Sequence, residues 1–392
     1  MTATPDSDLA AVPWRSPTVR VVFAATALAP LGVPLVSPAL PVVRDAFGLT
    51  DATASLLVSV YFLTGIVLSP FLGLLADRFG RKRVLVPSLA AFSVAGGAIA
   101  FAPGFRVVLA VRLVQGTAAA GIFVTTVTLI GDAFEGVRRN AVLGANTSVL
   151  AAGAAVYPLL GGYLATVSWN APFLAYLLGL PVTAFAWLGL EETATERRAG
   201  GVGYLRRALE SLARRAAVVP YATAFLTEVL LFGVVITAVP FLLDDFGFSP
   251  VLVGLVLTAT EAVSAVVAAA NGWLAGRLSD QRIIALGYAC YAVGPSVVWA
   301  DPSLAGVVAG AVVLGAGVGL TMPSVDALLS DLVTTEYRAG ALSVRNSVTF
   351  LGRAVGPVSF AGIAARTGYR PLLLAAGLVG AAGVAATLAL SR

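Results

Sequence analysis

Three carboxylates and three arginines stand inside long apolar stretches: Glu228, Glu261 and Asp326, with Arg112, Arg345 and Arg353. Held charged in a membrane interior, each such group costs at least about 2.5 kcal/mol, so it points to an ion or proton pathway. A carboxyl group binds its proton more tightly when buried and less tightly beside a guanidinium. A carboxylate and an arginine that change distance can therefore load and release a proton. Glu228 lies about 15 Å into its stretch, counted at 1.5 Å per residue, and is the expected principal proton carrier. Glu261, at similar depth, is the second candidate, and Asp326 lies nearer one end of its stretch. Static ion pairs of Glu261 with Arg353, or of Asp326 with Arg345, are the blander alternative. Histidine is absent, which leaves proton chemistry near neutral pH to these carboxylates. With Cys290 the single cysteine, an intramolecular disulfide is excluded and a metal site is implausible. No cofactor is expected.

The elements that must position these groups are membrane-spanning helices. Of 392 residues, 58% are hydrophobic and 11% charged, against about 25% charged in a soluble domain. The apolar stretches are 19–43, 53–76, 84–102, 107–131, 141–164, 172–190, 218–243, 250–275, 283–300, 304–330, 340–364 and 371–390. Strands crossing a bilayer would be about 10 residues long with alternating polarity, so these runs read as helices. The first is too long for the core of a cleavable signal, and Asp6 and Asp8 precede it. The net charge of +5 is scattered over short loops, with Lys82 the single lysine. No basic stripe with interleaved aromatics appears, and no nucleic-acid partner is expected.

Basic residues fall unevenly on the two sides. With a cytoplasmic N-terminus, Arg15, Arg20, Arg78, Arg81, Lys82, Arg83, Arg138, Arg139, Arg277, Arg282, Arg338, Arg392 and six arginines within 191–217 lie inside. Arg44, Arg106, Arg366 and Arg370 lie outside. The positive-inside bias then places both termini in the cytoplasm and requires an even number of crossings. The polar stretch 191–217 divides the chain into residues 1–190 and 218–392, six spans each. Within it, Tyr204 to Arg215 reads equally well as an amphipathic surface helix or a plain linker. A repeat runs through both parts at an offset of 199 residues. Pro41, Asp45, Phe47 and Gly48 recur as Pro240, Asp244, Phe246 and Gly247, and Gly116, Asp132, Gly153, Pro158 and Pro172 as Gly315, Asp331, Gly352, Pro357 and Pro371. Such a repeat is a mark of transporters built from two copies of one bundle.

Three motifs sharpen this. After the second stretch stands Gly73-Leu74-Leu75-Ala76-Asp77-Arg78-Phe79-Gly80-Arg81-Lys82. Gly73 permits close helix contact, Gly80 a sharp turn, and Asp77 is a carboxylate able to meet the positive N-terminal end of a neighbouring helix. The fourth stretch holds Arg112-Leu113-Val114-Gln115-Gly116. The fifth holds Gly144, Gly153, Tyr157-Pro158 and Gly161-Gly162, a spacing of small residues suited to close approach and bending. Together these resemble the motifs of the major facilitator superfamily, most closely its twelve-span drug–proton antiporter branch. Tyr157 departs from that branch, standing where a glycine is usual. The second-half copy, Gly276-Arg277-Leu278-Ser279-Asp280, lacks the closing Gly-Arg-Lys.

The resemblance implies an all-α membrane protein of twelve transmembrane helices in two six-helix halves. It also implies substrate bound near the midplane between halves that rock to expose it to either side. Asp77 would latch the cytoplasmic side against the helix at 340–364. Asp132 would join that gate, and Arg112 would tune a carboxylate's proton affinity. The seventh span would line the cavity and bring Glu228 into it. Tyr61, Gln115, Asn146, Glu228 and Arg353 are the expected cavity residues, although polar glue between helices explains Tyr61, Asn146 and Tyr157 equally well. The expected activity is proton-driven export of small hydrophobic or cationic compounds by a monomer in the cytoplasmic membrane. The alternative is a proton symporter or facilitator importing a nutrient. A membrane-embedded enzyme or sensor is remote, because no nucleophile–base pairing or metal constellation is in sight.

Overall fold

The computed structural model describes residues 12–192, 215–333 and 338–390. All regular structure among them is helical. The chain runs through α1 (Pro17–Leu28), α2 (Leu40–Phe47), α3 (Asp51–Phe79), α4 (Arg81–Ala98), α5 (Phe105–Ala133), α6 (Gly136–Val167), α7 (Ala171–Leu174) and α8 (Gly179–Gly189). It continues through α9 (Arg215–Leu230), a π-helical segment (Leu231–Ala238), α10 (Val239–Asp245), α11 (Pro250–Ala275), α12 (Asp280–Ala300), α13 (Leu304–Asp331), α14 (Arg338–Thr367) and α15 (Tyr369–Leu390). The proposed surface helix at 204–215 lies almost wholly outside the described residues.

Eleven helical stretches among the described residues are long and apolar enough to cross a membrane. The first expected span, 19–43, is not one of them. Pro30, Pro34, Pro38 and Pro41 interrupt it within twelve residues. Each removes an amide donor and clashes with the preceding turn, so α1 gives way to short 3-10 turns before α2 begins. The sequence repeat is visible in the helices themselves. α2 and α10, α3 and α11, α4 and α12, and α5 and α13 each begin 199 residues apart. α11 ends sooner than α3, at Ala275, beside the incomplete second copy of the loop motif.

Local sequence sets the helix ends. The hydroxyl of Thr50 caps α3 by accepting from the Thr53 amide, with Asp51 in the first turn. α2 stops at Gly48 (φ 61°) and α3 at Gly80 (φ 104°), conformations that favour glycine. Alternation of the chain then defines a Gly48 end and a basic end, the latter carrying Arg78 to Arg83.

Two long seams join residues before 192 to those after 215: α3 packs along α14, and α6 along α11. The α6–α11 seam is backbone against backbone near the Gly48 end. Gly162 meets Pro250, and Gly254 meets the carbonyl of Pro158, with no room for a methyl group at either. At the same end Arg44 of α2 pairs with Asp244 of α10 at 2.7 Å and with Asp51 at 2.9 Å. The Tyr369 hydroxyl also donates to Asp51. Ser37 donates at 2.6 Å to the carbonyl of Ile236, the carbonyl that Pro240 cannot serve from one turn on.

Candidate functional site

In the last turn of α9, just before the π-helical segment, Glu228 is 2% exposed. Its two carboxylate oxygens accept from Arg353 of α14, from Nε at 3.0 Å and Nη2 at 2.8 Å. This bidentate geometry is the strongest form of a carboxylate–guanidinium contact. Three rings from three elements surround the guanidinium at 5.3 to 5.9 Å: Phe62 of α3, Phe232 of the π-helical segment and Phe350 of α14. Phe232, the second residue of that segment, stands one turn after Glu228, and π-helical turns in α-helices often accompany functional sites. The Arg353 side chain keeps 32% of its surface exposed. Its Nη1 is not engaged by Glu228 and carries no hydrogen bond among the described residues, so it can meet a further acceptor.

Glu261 of α11 is half-buried and lies within electrostatic reach of both Glu228 and Arg353. No hydrogen bond or ion pair holds its carboxylate among the described residues. The cluster therefore carries two carboxylates and one guanidinium, with one carboxylate committed. The blander pairing of Glu261 with Arg353 is replaced by Glu228 with Arg353. Asp326 and Arg345 do pair, through both Nε and Nη2, and join α13 to α14. Asn346 accepts a further bond from that arginine at 3.0 Å.

Arg112 is placed differently from the expectation. It is fully buried and donates to the carbonyl of Leu57 (3.0 Å), the carbonyl of Gly32 (2.9 Å), Gln115 Oε1 (2.7 Å) and the Tyr176 hydroxyl (3.3 Å). No carboxylate is among these partners. The reason lies in the broken first span. Its prolines leave carbonyls without amide partners, and in a membrane every backbone polar group must be satisfied internally. Arg112 and Tyr176 do this at the break, with Tyr176 donating to the carbonyl of Leu31 at 2.5 Å. Arg112 also lies 5.0 Å from the Tyr61 ring.

The basic-end motif folds on itself. Arg81 pairs with Asp77 one turn back and with Asp132 of α5 at 2.9 Å. Among the described residues the ion-pair partner of Asp77 is Arg81; the expected latch against the helix at 340–364 borders residues 334–337, which lie outside them. Lys82 donates to the carbonyl of Leu190 at 2.6 Å, Arg78 lies over the Phe79 ring, and Gly73 lies within α3. In the fifth-stretch motif, Gly153 abuts Pro30, Gly161 abuts the Leu35 backbone, and Gly162 abuts Pro250. Gly144 faces open space, so it serves no close approach here. Asn146 accepts from Thr26 at 2.7 Å, and Tyr157 donates to the carbonyl of Ala27 at 2.9 Å. Both bonds tie α6 to α1 as interhelical glue.

Sequence reasoning missed the aromatic surround of Arg353 and the role of Tyr176. It also missed a buried network in which the hydroxyls of Tyr291, Thr227 and Thr321 lie within 2.6 to 3.4 Å of one another. Thr227 directly precedes Glu228, and a polar pair in an apolar stretch was the available signal.

The sequence profile of the Major Facilitator Superfamily matches residues 22–233 and again 221–392. The chain belongs to that superfamily. This superfamily member is 30% identical over 351 residues to the tetracycline resistance protein, class G, of Vibrio anguillarum, covering 86% of this chain and 88% of that one. The bacillibactin exporter of Bacillus subtilis is 25% identical over 363 residues, 88% and 89% of the two chains. The quinolone resistance protein NorA of Staphylococcus aureus is 33% identical over 156 residues, 40% of each. Among solved structures, the nucleoside transporter NupG superposes with a TM-score of 0.79 at 11% identity, covering 96% of this chain and 98% of that one. An inward-facing bacterial homologue of the lysosomal transporter Spinster gives 0.79 at 17%, with 97% and 98% covered. The protein is a multi-pass membrane transporter, not an enzyme.

Proposed function

We propose that this transporter exports small hydrophobic or cationic compounds across the cytoplasmic membrane in exchange for protons. The observation that carries the reading is the buried Glu228–Arg353 pair with the uncommitted Glu261 beside it. Arg353 can hold one carboxylate bidentately at a time. A proton arriving on Glu228 frees the guanidinium, which then turns its charge toward Glu261. A cationic substrate leaning on Glu261 and the phenyl rings is thereby expelled, and loss of the proton restores the first arrangement. Two states differing in where Arg353 points provide the bistable element that alternating access requires. The names of the relatives, an exporter and two drug-resistance proteins, support the outward direction. Counting the broken stretch 17–47 as a crossing gives twelve spans, both termini cytoplasmic, and halves at 1–190 and 218–392 joined by 191–217. The unit is a monomer.

Purified protein in liposomes with an imposed pH gradient tests this. Cationic dyes are expected to move against the proton flow, and Glu228→Gln to lower that rate at least 100-fold, about 2.7 kcal/mol at the barrier. Movement of a nutrient in the same direction as protons would make the protein an importer instead.

A further inference from the structure

A cavity of about 420 Å³ opens at the basic end, far from the Glu228 cluster, lined by Lys82, Arg83, Val86, Pro87, Trp187 and Glu192. It lies where the first turns of α4 meet the last turn of α8. Its chemistry is graded along α4. Lys82 and Arg83 stand at the helix start, and Val86 and Pro87 follow one turn deeper. Trp187, 64% exposed, and the neighbouring Leu188, 79% exposed, present an apolar wall to the surrounding lipid.

We propose that this cavity holds the headgroup of an anionic phospholipid from the leaflet bordering the arginine-rich loops. The phosphate would lie against Lys82 and Arg83 at the rim, because the Glu192 carboxylate stands against Gly80 at the start of α4. The indole of Trp187 would sit at the level of the glycerol esters, and the acyl chains would run along Val86 and Pro87. Lys82 spends one of its three N–H donors on the carbonyl of Leu190, which fixes the ammonium at the rim and leaves two donors. Glu192 opposes an anion, but its contact with Arg83 is long, 3.8 Å, and Arg83 is 73% exposed. That pair is therefore weak and open to competition. Two cations against one carboxylate leave the cavity net positive. Basic pockets between membrane helices are recognised headgroup sites, and tryptophan concentrates at the same depth. Arg81, next in sequence, carries the bonds to Asp77 and Asp132, so an occupied cavity would stiffen the same loop.

The test uses full-length protein in mixed micelles, with brominated phosphatidylglycerol or brominated phosphatidylcholine as quencher. The fluorescence lost in Trp187→Phe isolates the signal of that residue. Half-quenching is expected at a mole fraction of phosphatidylglycerol at least five-fold lower than of phosphatidylcholine. The Lys82→Gln, Arg83→Gln double variant should remove that preference while leaving quenching by phosphatidylcholine unchanged, which shows the helices still in place. Equal quenching by both lipids in the unsubstituted protein, or a preference that survives the double variant, would overturn the site. Release of the brominated lipid by millimolar glycerol phosphate would also overturn it, marking a site for soluble phosphate esters. None of these outcomes depends on the direction of transport or on proton coupling.

Discussion

Two guanidiniums flank the adjacent residues Tyr61 and Phe62, and they are held in opposite ways. Arg112, beside Tyr61, is wholly enclosed and bonded only to neutral acceptors on helices that precede residue 192. Arg353, beside Phe62, is one-third exposed and bonded to a carboxylate across α9 and α14. Neutral partners at a helix break cannot change their charge, so nothing in ordinary chemistry releases Arg112. A carboxylate can be protonated, so the hold on Arg353 is reversible. The same residue type thus makes a rivet in one place and a switch in the other.

The largest effect that can break this contrast is removal of the rivet. Arg112→Gln removes three bonds from a charged donor, to the carbonyls of Leu57 and Gly32 and to Gln115 Oε1, and a hydrogen bond to a charged group contributes about 1.5–3 kcal/mol. A loss of about 3–5 kcal/mol is expected in detergent unfolding, with little rescue in Arg112→Lys, whose single ammonium cannot reach three directions at once. A loss under about 1 kcal/mol would mean that Tyr176 alone holds the break.

Arg353 should respond differently. Arg353→Gln leaves Glu228 buried without its partner, and Glu228→Gln leaves Arg353 facing a neutral amide. Each is expected to cost about 2 kcal/mol, less than a fully buried pair because the guanidinium is partly exposed. The double variant should cost only about 1 kcal/mol, a coupling of about 3 kcal/mol in a double-mutant cycle, while proton-driven transport stays lost in all three. Additive losses with no recovery would make Arg353 a second rivet.

How much of this could be read beforehand follows from the same contrast. Membrane helices, the 199-residue repeat and the buried charges are written in composition and register, and apart from the broken stretch at 19–43 they stand in the structure where the sequence places them. The partner of Glu228 was not legible, because Arg353 lies 125 positions away and Glu261 competes for it at similar depth. The role of Arg112 was hidden because its partners are backbone carbonyls, which every residue possesses. Only the prolines at 30, 34, 38 and 41 signalled that some of those carbonyls lack donors. Gly144 and Gly162 looked alike on paper, yet spacing along a helix does not say which glycine faces a neighbour.

That last pair sharpens the comparison on the neutral side. Gly162→Ala pushes a methyl group into the Pro250 backbone and is expected to destabilise by about 1–3 kcal/mol through overpacking. Gly144→Ala meets nothing within 4 Å and should stay within about 0.5 kcal/mol. Unfolding of the two variants side by side decides it. An equal gain in both would mean that helix propensity, which favours alanine over glycine, outweighs the α6–α11 contact.

The smallest effect concerns the other charged contact between the two parts, at the Gly48 end. Arg44 and Asp244 meet at 2.7 Å with side chains 18% and 30% exposed, so water and salt reach them, and such a pair is worth about 0.5–1 kcal/mol. Asp244→Asn leaves Arg44 with Asp45 and Asp51, both on its own side of the contact. The remaining ties across that end are the neutral bond from Ser37 to Ile236 and the glycine seam of α6 and α11. If closure there is shared between charged and neutral contacts, loss of the pair should open the end only slightly. The readout is maleimide labelling of Ala39→Cys, a position fully enclosed in the closed arrangement, with Cys290→Ala removing the native thiol. Labelling is expected to rise about two- to five-fold in Asp244→Asn, matching 0.5–1 kcal/mol. In the background that retains Asp244, 0.5 M salt should raise labelling in the same direction, because exposed pairs are screened. A rise of 100-fold would make the ion pair the principal lock, and no rise at all would leave closure to the glycines.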